Sequence, residues 1–411
     1  MYVNLRDRPG EPGSSRGRVS RTVVLLGVVS MLTDISSESV NAVLPIYLTT
    51  VLGMTPLAYG SIDGIYQGVS ALVRILGGSI ADRTDHPKWV ATVGYTISAL
   101  SRVLLLPAQG FIAITAVITG DRLGKGLRTA PRDAVIASAA SPETQGQAFG
   151  VHRSLDTLGA LIGPMIAFGI LSLFPFGGGF RPIFVVSLAF AVIGVAVLVL
   201  FVPDVRPRRA QPPAARVPMR TVVSGSMRQL LIAAGVLALL TVSDGFIYLQ
   251  LATRDDLATR YFPLLLVGSN LAYLLLAIPL GRLADRVGRV RVFVGGHLAL
   301  LAAYLLAGGP VGGIAATIGC LLLLGAFYAA TDGVLAAIAG QLVPAARRAT
   351  AIASAQTVVA LGRFASSILF GLLWTQAGRS PAITVFALLL LIGIPFAAWL
   401  LHGIEKRPVL A

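Results

Sequence analysis

The feature that most constrains this chain is a succession of apolar runs, each about 20 residues long, cut by short polar breaks that carry arginine. A helix of about 20 residues crosses the hydrocarbon core of a bilayer, and the sequence offers about twelve such segments. They lie near Thr22–Leu52, Leu57–Ala81, Lys88–Leu106, Gly110–Ala139, Gln147–Leu173, Pro182–Val202, Leu230–Leu251, Phe262–Ala284, Val290–Ala307, Gly312–Leu342, Thr350–Trp374 and Ala382–Leu401. Composition supports the same reading, with 55% hydrophobic residues, 12% charged and a mean hydropathy of +0.81. A soluble domain carries about 25% charged residues to coat its surface, so this chain is read as an all-α membrane protein.

Several function classes fall away at once. The net charge is +15, but no basic stripe with interleaved aromatics is present, so no nucleic-acid partner is expected. Cys320 is the only cysteine and the four histidines are scattered, which gives neither a disulfide framework nor a metal site. No Gly-Lys-Ser/Thr phosphate loop occurs, so no nucleotide, no cofactor and no enzymatic activity are expected. The basic residues are almost all arginine, only Lys88, Lys125 and Lys406 being lysine, which reads as a GC-rich bacterial genome and hence a bacterial inner membrane.

Orientation follows from the loops. Arg6, Arg8, Arg16, Arg18 and Arg21, then Arg83 and Lys88, the group Arg206 to Arg228, then Arg286, Arg289, Arg291, Arg347, Arg348, Lys406 and Arg407 all fall on one side. The other side holds only Arg181, Arg254, Arg260 and Arg379, so both termini are expected in the cytoplasm. Residues 1–21 read as a disordered tail, 22–202 as a first six-helix bundle, 203–227 as a Pro- and Arg-rich linker, 228–402 as a second bundle and 403–411 as a tail. No secretory signal is expected, because the first apolar run holds Asp34 and Glu38 and no clean cleavage site. The halves echo each other: Gly78-Ser-Ile-Ala-Asp82-Arg83 returns as Gly281-Arg-Leu-Ala-Asp285-Arg286, 203 positions later.

That repeated stretch, extended through Gly288 and Arg289, resembles the loop motif of the major facilitator superfamily, with a degenerate first copy in which Asp85 and Pro87 interrupt the pattern. Arg122-Leu-Gly-Lys125-Gly126 resembles the superfamily's second motif with Lys125 in the usual Gln position, and Gly159-Ala-Leu-Ile-Gly163-Pro164 resembles its antiporter motif. Asp121 to Asp133, followed by Phe149 to Gly159, is similar to a largely uncharacterised prokaryotic subgroup described as drug-efflux-like. The resemblance implies two pseudo-symmetric bundles around a midplane site, and a monomer is expected. It also implies gating roles for Gly78, Asp82, Arg83, Gly281, Asp285, Arg286, Arg289, Gly159, Gly163 and Pro164. Asp133 would pair with Arg83.

Charges at bilayer depth cost about 2.5–3.5 kcal/mol each on insertion scales, so they need partners or water. Asp34 and Glu38 stand four apart on one face of the first span, a like-charge pair suited to reversible protonation. Arg122 and Lys125 lie deep in the fourth span, Asp244 in the seventh and Asp332 in the tenth, spans that the resemblance implies line the central cavity, so these four are the candidate substrate contacts. Asp121, Arg128, Arg132, Asp133, Arg153, Asp156 and Arg363 read equally as an ion-pair network that locks helices together. His152 reads as a helix-packing residue. The expected function is secondary transport of a small organic solute or drug, exported against a proton gradient; the alternatives are a facilitator or importer of an anionic metabolite and, remotely, a non-transporting receptor.

Overall fold

The computed structural model describes residues 19–84, 86–141, 144–174, 178–204, 225–344 and 347–404, without the side chains of 71 and 74–84. The tail before 19, most of the expected linker, the surroundings of Gly78 and the side chains of Arg74, Asp82 and Arg83 therefore lie outside what is described. The described residues are 87% helical, with no strand among them. The helices are α1 (Arg21–Asn41), α2 (Pro56–Thr84), α3 (Pro87–Leu105), α4 (Gly110–Ser138), α5 (Gln145–Leu173), α6 (Phe180–Phe201), α7 (Gly225–Leu239) and α8 (Asp244–Arg254). They continue with α9 (Phe262–Val287), α10 (Arg289–Gly308), α11 (Ile314–Gln341), α12 (Arg348–Ala377) and α13 (Arg379–Leu400).

Nine of the described segments are long and apolar enough to cross a membrane by length and composition. α4, with its stripe of charges, is outside that set. The apolar faces are turned outward, with Ile112, Leu173, Leu200, Leu275, Ile392 and Trp399 all exposed. Water would penalise such a surface and lipid does not.

Residues 1–52 and 69–212 form one compact unit, and 53–68 and 213–411 form the other, so α2 is divided between them at Gly68. Within the first unit α1 packs on α5 and α6, and α3 on α4 and α6. The second unit repeats those four pairings, with α7 on α12 and α13, and α10 on α11 and α13. The seventh span is broken. α7 stops at Leu239, and α8 restarts at Asp244 with Ser243 in extended backbone as its N-cap residue. Tyr304 and Ser366 stitch the gap: the Val242 N–H donates to the Tyr304 hydroxyl at 2.6 Å, and the Ser366 hydroxyl donates to the Thr241 carbonyl at 2.7 Å. A Ser-Asp pair inside an apolar run is a helix-start signal, but Ser243 makes no side-chain cap bond, and Tyr304 and Ser366 satisfy the polar backbone that a bilayer cannot.

Candidate functional site

In the first unit the seam between α1 and α5 has two sides. On one, Leu155 meets Gly27, Gly159 meets the Met31 backbone and Gly163 the Ile35 backbone, each pair 128 positions apart. A Cβ at Gly163 would lie 2.8 Å from the Ile35 carbonyl oxygen and from the Ser39 nitrogen, so only glycine permits this approach. Pro164 follows within a helix that runs on to Leu173. On the other side the pairs stand 122 apart. His152 Nε2 bonds Ser30 Oγ at 2.9 Å, and one turn deeper the carboxyl groups of Asp34 and Asp156 lie within hydrogen-bonding reach of each other. The constant offsets make the helices parallel and hold both rungs in register.

Two carboxylates cannot share a hydrogen bond unless one is protonated. A proton shared between Asp34 and Asp156 would relieve the repulsion of two ionised groups there. Glu38, expected as the partner of Asp34, instead accepts a hydrogen bond from Asn41 Nδ2 at 3.0 Å, while remaining within electrostatic reach of Asp34.

Around this pair the cations are arranged unevenly. Asp121 is buried and accepts from Arg102 at 3.0 Å and from Arg122, so the most conspicuous arginine of the sequence already has its counter-ion. Arg132 bridges Asp133 at 2.9 Å and donates to Ser30 Oγ at 3.2 Å. Asp133 thus pairs with its sequence neighbour, and the side chain of Arg83 lies outside the described residues. Arg153 reaches Asp156 at 3.5 Å. Arg128 is buried over the Tyr95 ring, 4.5 Å from its centroid, and donates to Ser98 Oγ at 3.3 Å. Lys125 faces Asp34, Glu38, Arg122 and Arg128.

The second unit gathers its own cluster. Gly60, Gly64 and Gly68 let α2 lie against Phe364 and Ser367 of α12, which puts Asp63 on the Ser367 hydroxyl at 2.7 Å, with Ser243 and Gln67 as further donors. Tyr328 donates to Asp244 at 2.9 Å, and the Arg363 guanidinium stacks on the Tyr328 ring at 5.0 Å, within electrostatic reach of Asp244 and Asp332. A cavity of about 10 Å³, the room of roughly one water, is lined by Gln67, Thr241, Val242, Ser243, Tyr328 and Arg363. The buried Nε of Arg363 has no hydrogen-bond partner among the described residues, which is a place for that water. Tyr328, Gln67, Ser243 and Ser367 were not anticipated; the glycines four apart in α2 were the available signal.

Of the loop-motif residues, Asp285 pairs with Arg289 at 2.9 Å inside its own motif, and Arg286 is exposed. Gly281 was expected among the gating residues, and a Cβ there would meet no described atom within 4 Å.

Comparison with known proteins places this geometry. An uncharacterised transporter of the facilitator type from Methanocaldococcus jannaschii is 29% identical over 372 residues, 87% of this chain and 89% of that protein. A multidrug resistance protein, MdtH of Photorhabdus laumondii, is 31% identical over 127 residues, 31% of each chain. The crystal structure of a POT family transporter in complex with 5-aminolevulinic acid superposes with a TM-score of 0.78 at 16% identity, covering 96% of this chain and 98% of that one. The profile of the superfamily itself matches residues 26–258 and 246–410, which is nearly the whole chain, and the protein belongs to the Major Facilitator Superfamily of membrane transporters.

Proposed function

We propose that this protein is a proton-coupled secondary transporter of a small organic solute, working by alternating access in a bacterial inner membrane with both termini in the cytoplasm. The observation that carries the coupling is the Asp34–Asp156 contact. A buried carboxyl pair that holds one proton gains a net charge when it loses that proton, and such a change biases one conformation of a two-state carrier over another. In purified protein reconstituted in proteoliposomes, solute-linked proton movement is expected to vanish in Asp34→Asn and in Asp156→Asn, while solute exchange without a gradient persists. Full gradient-driven uptake by both variants would sink the coupling.

Two directions are open to such a carrier. Export is supported by the Gly159, Gly163 and Pro164 motif and by the likeness to a multidrug resistance protein over 127 residues. Uptake of an anionic metabolite is supported by the cations of α4, and the site as described favours it, because Lys125 stands beside the proton pair with no ion pair of its own among the described residues. A carrier that binds proton and anion together moves both down the proton gradient.

A further inference from the structure

Five cations of the first unit are described with their anions or without them, and the division is informative. Arg102 and Arg122 share Asp121, and Arg132 has Asp133. Lys125 and Arg128 have no carboxylate within ion-pair distance among the described residues. Arg128 is 4% exposed and among the described residues meets the Ser98 hydroxyl and the Tyr95 ring. The Lys125 ammonium has no hydrogen-bond acceptor among the described residues. The two stand three apart on α4, and so on one face of it. Arg128 is buried and Lys125 half-buried; an enclosed charge without a counter-ion is costly, and folded proteins tolerate one where a ligand supplies the missing partner.

We propose that Lys125 and Arg128 form an anion-binding subsite that takes the carboxylate, sulfonate or phosphate group of the transported solute, and that the proton between Asp34 and Asp156 is bound cooperatively with it. The linkage part rests on the proton-coupled reading above; the anion subsite does not. The charged groups facing Lys125 are Asp34 and Glu38 from α1 and Arg122 and Arg128 from α4 itself. Those facing Arg128 are Tyr95 from α3, Asp34 from α1, and Asp121 and Arg132 from α4. Asp34 is common to both sets. Ionised, it supplies part of the charge the two cations lack and so competes with an incoming anion. Sharing its proton with Asp156, it stops competing. Reciprocity then requires that the anion tighten the proton in return. A lipid headgroup is a poor source for this anion, since both residues stand at least ten positions from either end of α4, roughly 15 Å or more along its axis.

The test uses purified full-length protein and anions whose charge is constant across the pH range: sulfate, methanesulfonate and benzenesulfonate, with benzyltrimethylammonium as a cation matched in size to the last. Thermal stabilisation should follow at least one of the anions and not the cation. Apparent affinity should be about tenfold higher at pH 6 than at pH 8, within the usual range of coupling between sites. Lys125→Gln should weaken anion binding at both pH values, and Lys125→Arg should retain it. Asp34→Asn, which mimics the protonated carboxyl, should bind at pH 8 as tightly as the wild type does at pH 6. Equal stabilisation by the ammonium ion, or none by any of the three anions, overturns the subsite even if proton-driven transport is later demonstrated. Anion binding that keeps its pH dependence in Asp34→Asn overturns the linkage and leaves the subsite standing.

Discussion

Asp255 shows how much one side chain can organise. It follows α8 in the connection to α9, accepts from Arg254 Nε at 2.8 Å, and caps the start of α11 through the Gly313 N–H at 2.9 Å and the Thr317 hydroxyl. Arg254 in turn donates to the Leu306 carbonyl at the end of α10, at 2.6 Å. One dipeptide thereby joins three helices. The hydrogen bonds from Arg254 hold the Asp255 carboxyl well below its ordinary value of 3.8. A lowered folded value means that the ionised group stabilises the fold at neutral pH, and that this contribution is lost as the pH falls below 3.8 toward the folded value. Asp255→Asn should therefore lower the thermal midpoint at pH 7, by the equivalent of about 1.5 kcal/mol for a lost charged hydrogen bond, and the gap to the wild type should close on acidification. A gap of constant size down to the lowest pH that the protein survives would refute the assignment. At this scale the sequence was only half informative. It marked Asp34 and Glu38 by their spacing, but a stripe on one helix cannot say which neighbour it meets, and the partner that matters, Asp156, comes from α5. It equally marked Arg122 as a candidate substrate contact, because nothing in the order of residues shows that Asp121 turns both oxygens to Arg102 and Arg122.

At the scale of elements, glycine decides which helices can touch. Gly163 stands against backbone atoms of α1, whereas Gly281, placed in the more regular copy of the repeated motif, stands clear of described atoms. Adding one methyl at each gives opposite predictions. Gly163→Ala must push α1 and α5 apart, costing about 1–3 kcal/mol as overpacking does and displacing Asp34 from Asp156. Both the thermal midpoint and solute-linked proton movement should fall. Gly281→Ala removes a flexible residue from α9 and should leave stability unchanged or raise it, by up to about 1 kcal/mol. The pair is checked by thermal unfolding in detergent; equal losses in both would show that the α1–α5 seam is not the constraint described here. The helices themselves were legible, since about 20 apolar residues between arginine-bearing breaks admit little else. The break before Asp244 was harder to see, because apolar residues continue on both sides of it and only Ser243 and Asp244 announce the restart. The glycines at 60, 64 and 68 went unread because their meaning depends on α12, some 300 residues later.

At the scale of the whole molecule, the excess of arginine on one set of loops predicts the orientation of every helix, and the chain carries its own clean background for testing that. Cys320 is fully buried in α11 and donates its thiol to the Ala303 carbonyl at 3.6 Å, so a bulky, membrane-impermeant maleimide should leave the native protein unlabelled in intact cells. Val287 and Ala258 are exposed at opposite ends of α9, beside Arg286 and Arg289 in the first case and in the connection that follows Asp255 in the second. Positive loops stay on the cytoplasmic side during insertion. Ala258→Cys should therefore react in intact cells, and Val287→Cys only after the membrane is opened. The reverse pattern would invert the molecule, and with it the side from which a proton reaches Asp34 and Asp156. The carboxyl pair, Lys125 and Arg128 lie in the first unit, while the second offers Asp63, Asp244 and Asp332 around Arg363. The two repeats share their helix pairings and not their chemistry, so a duplicated scaffold has been charged differently in each copy.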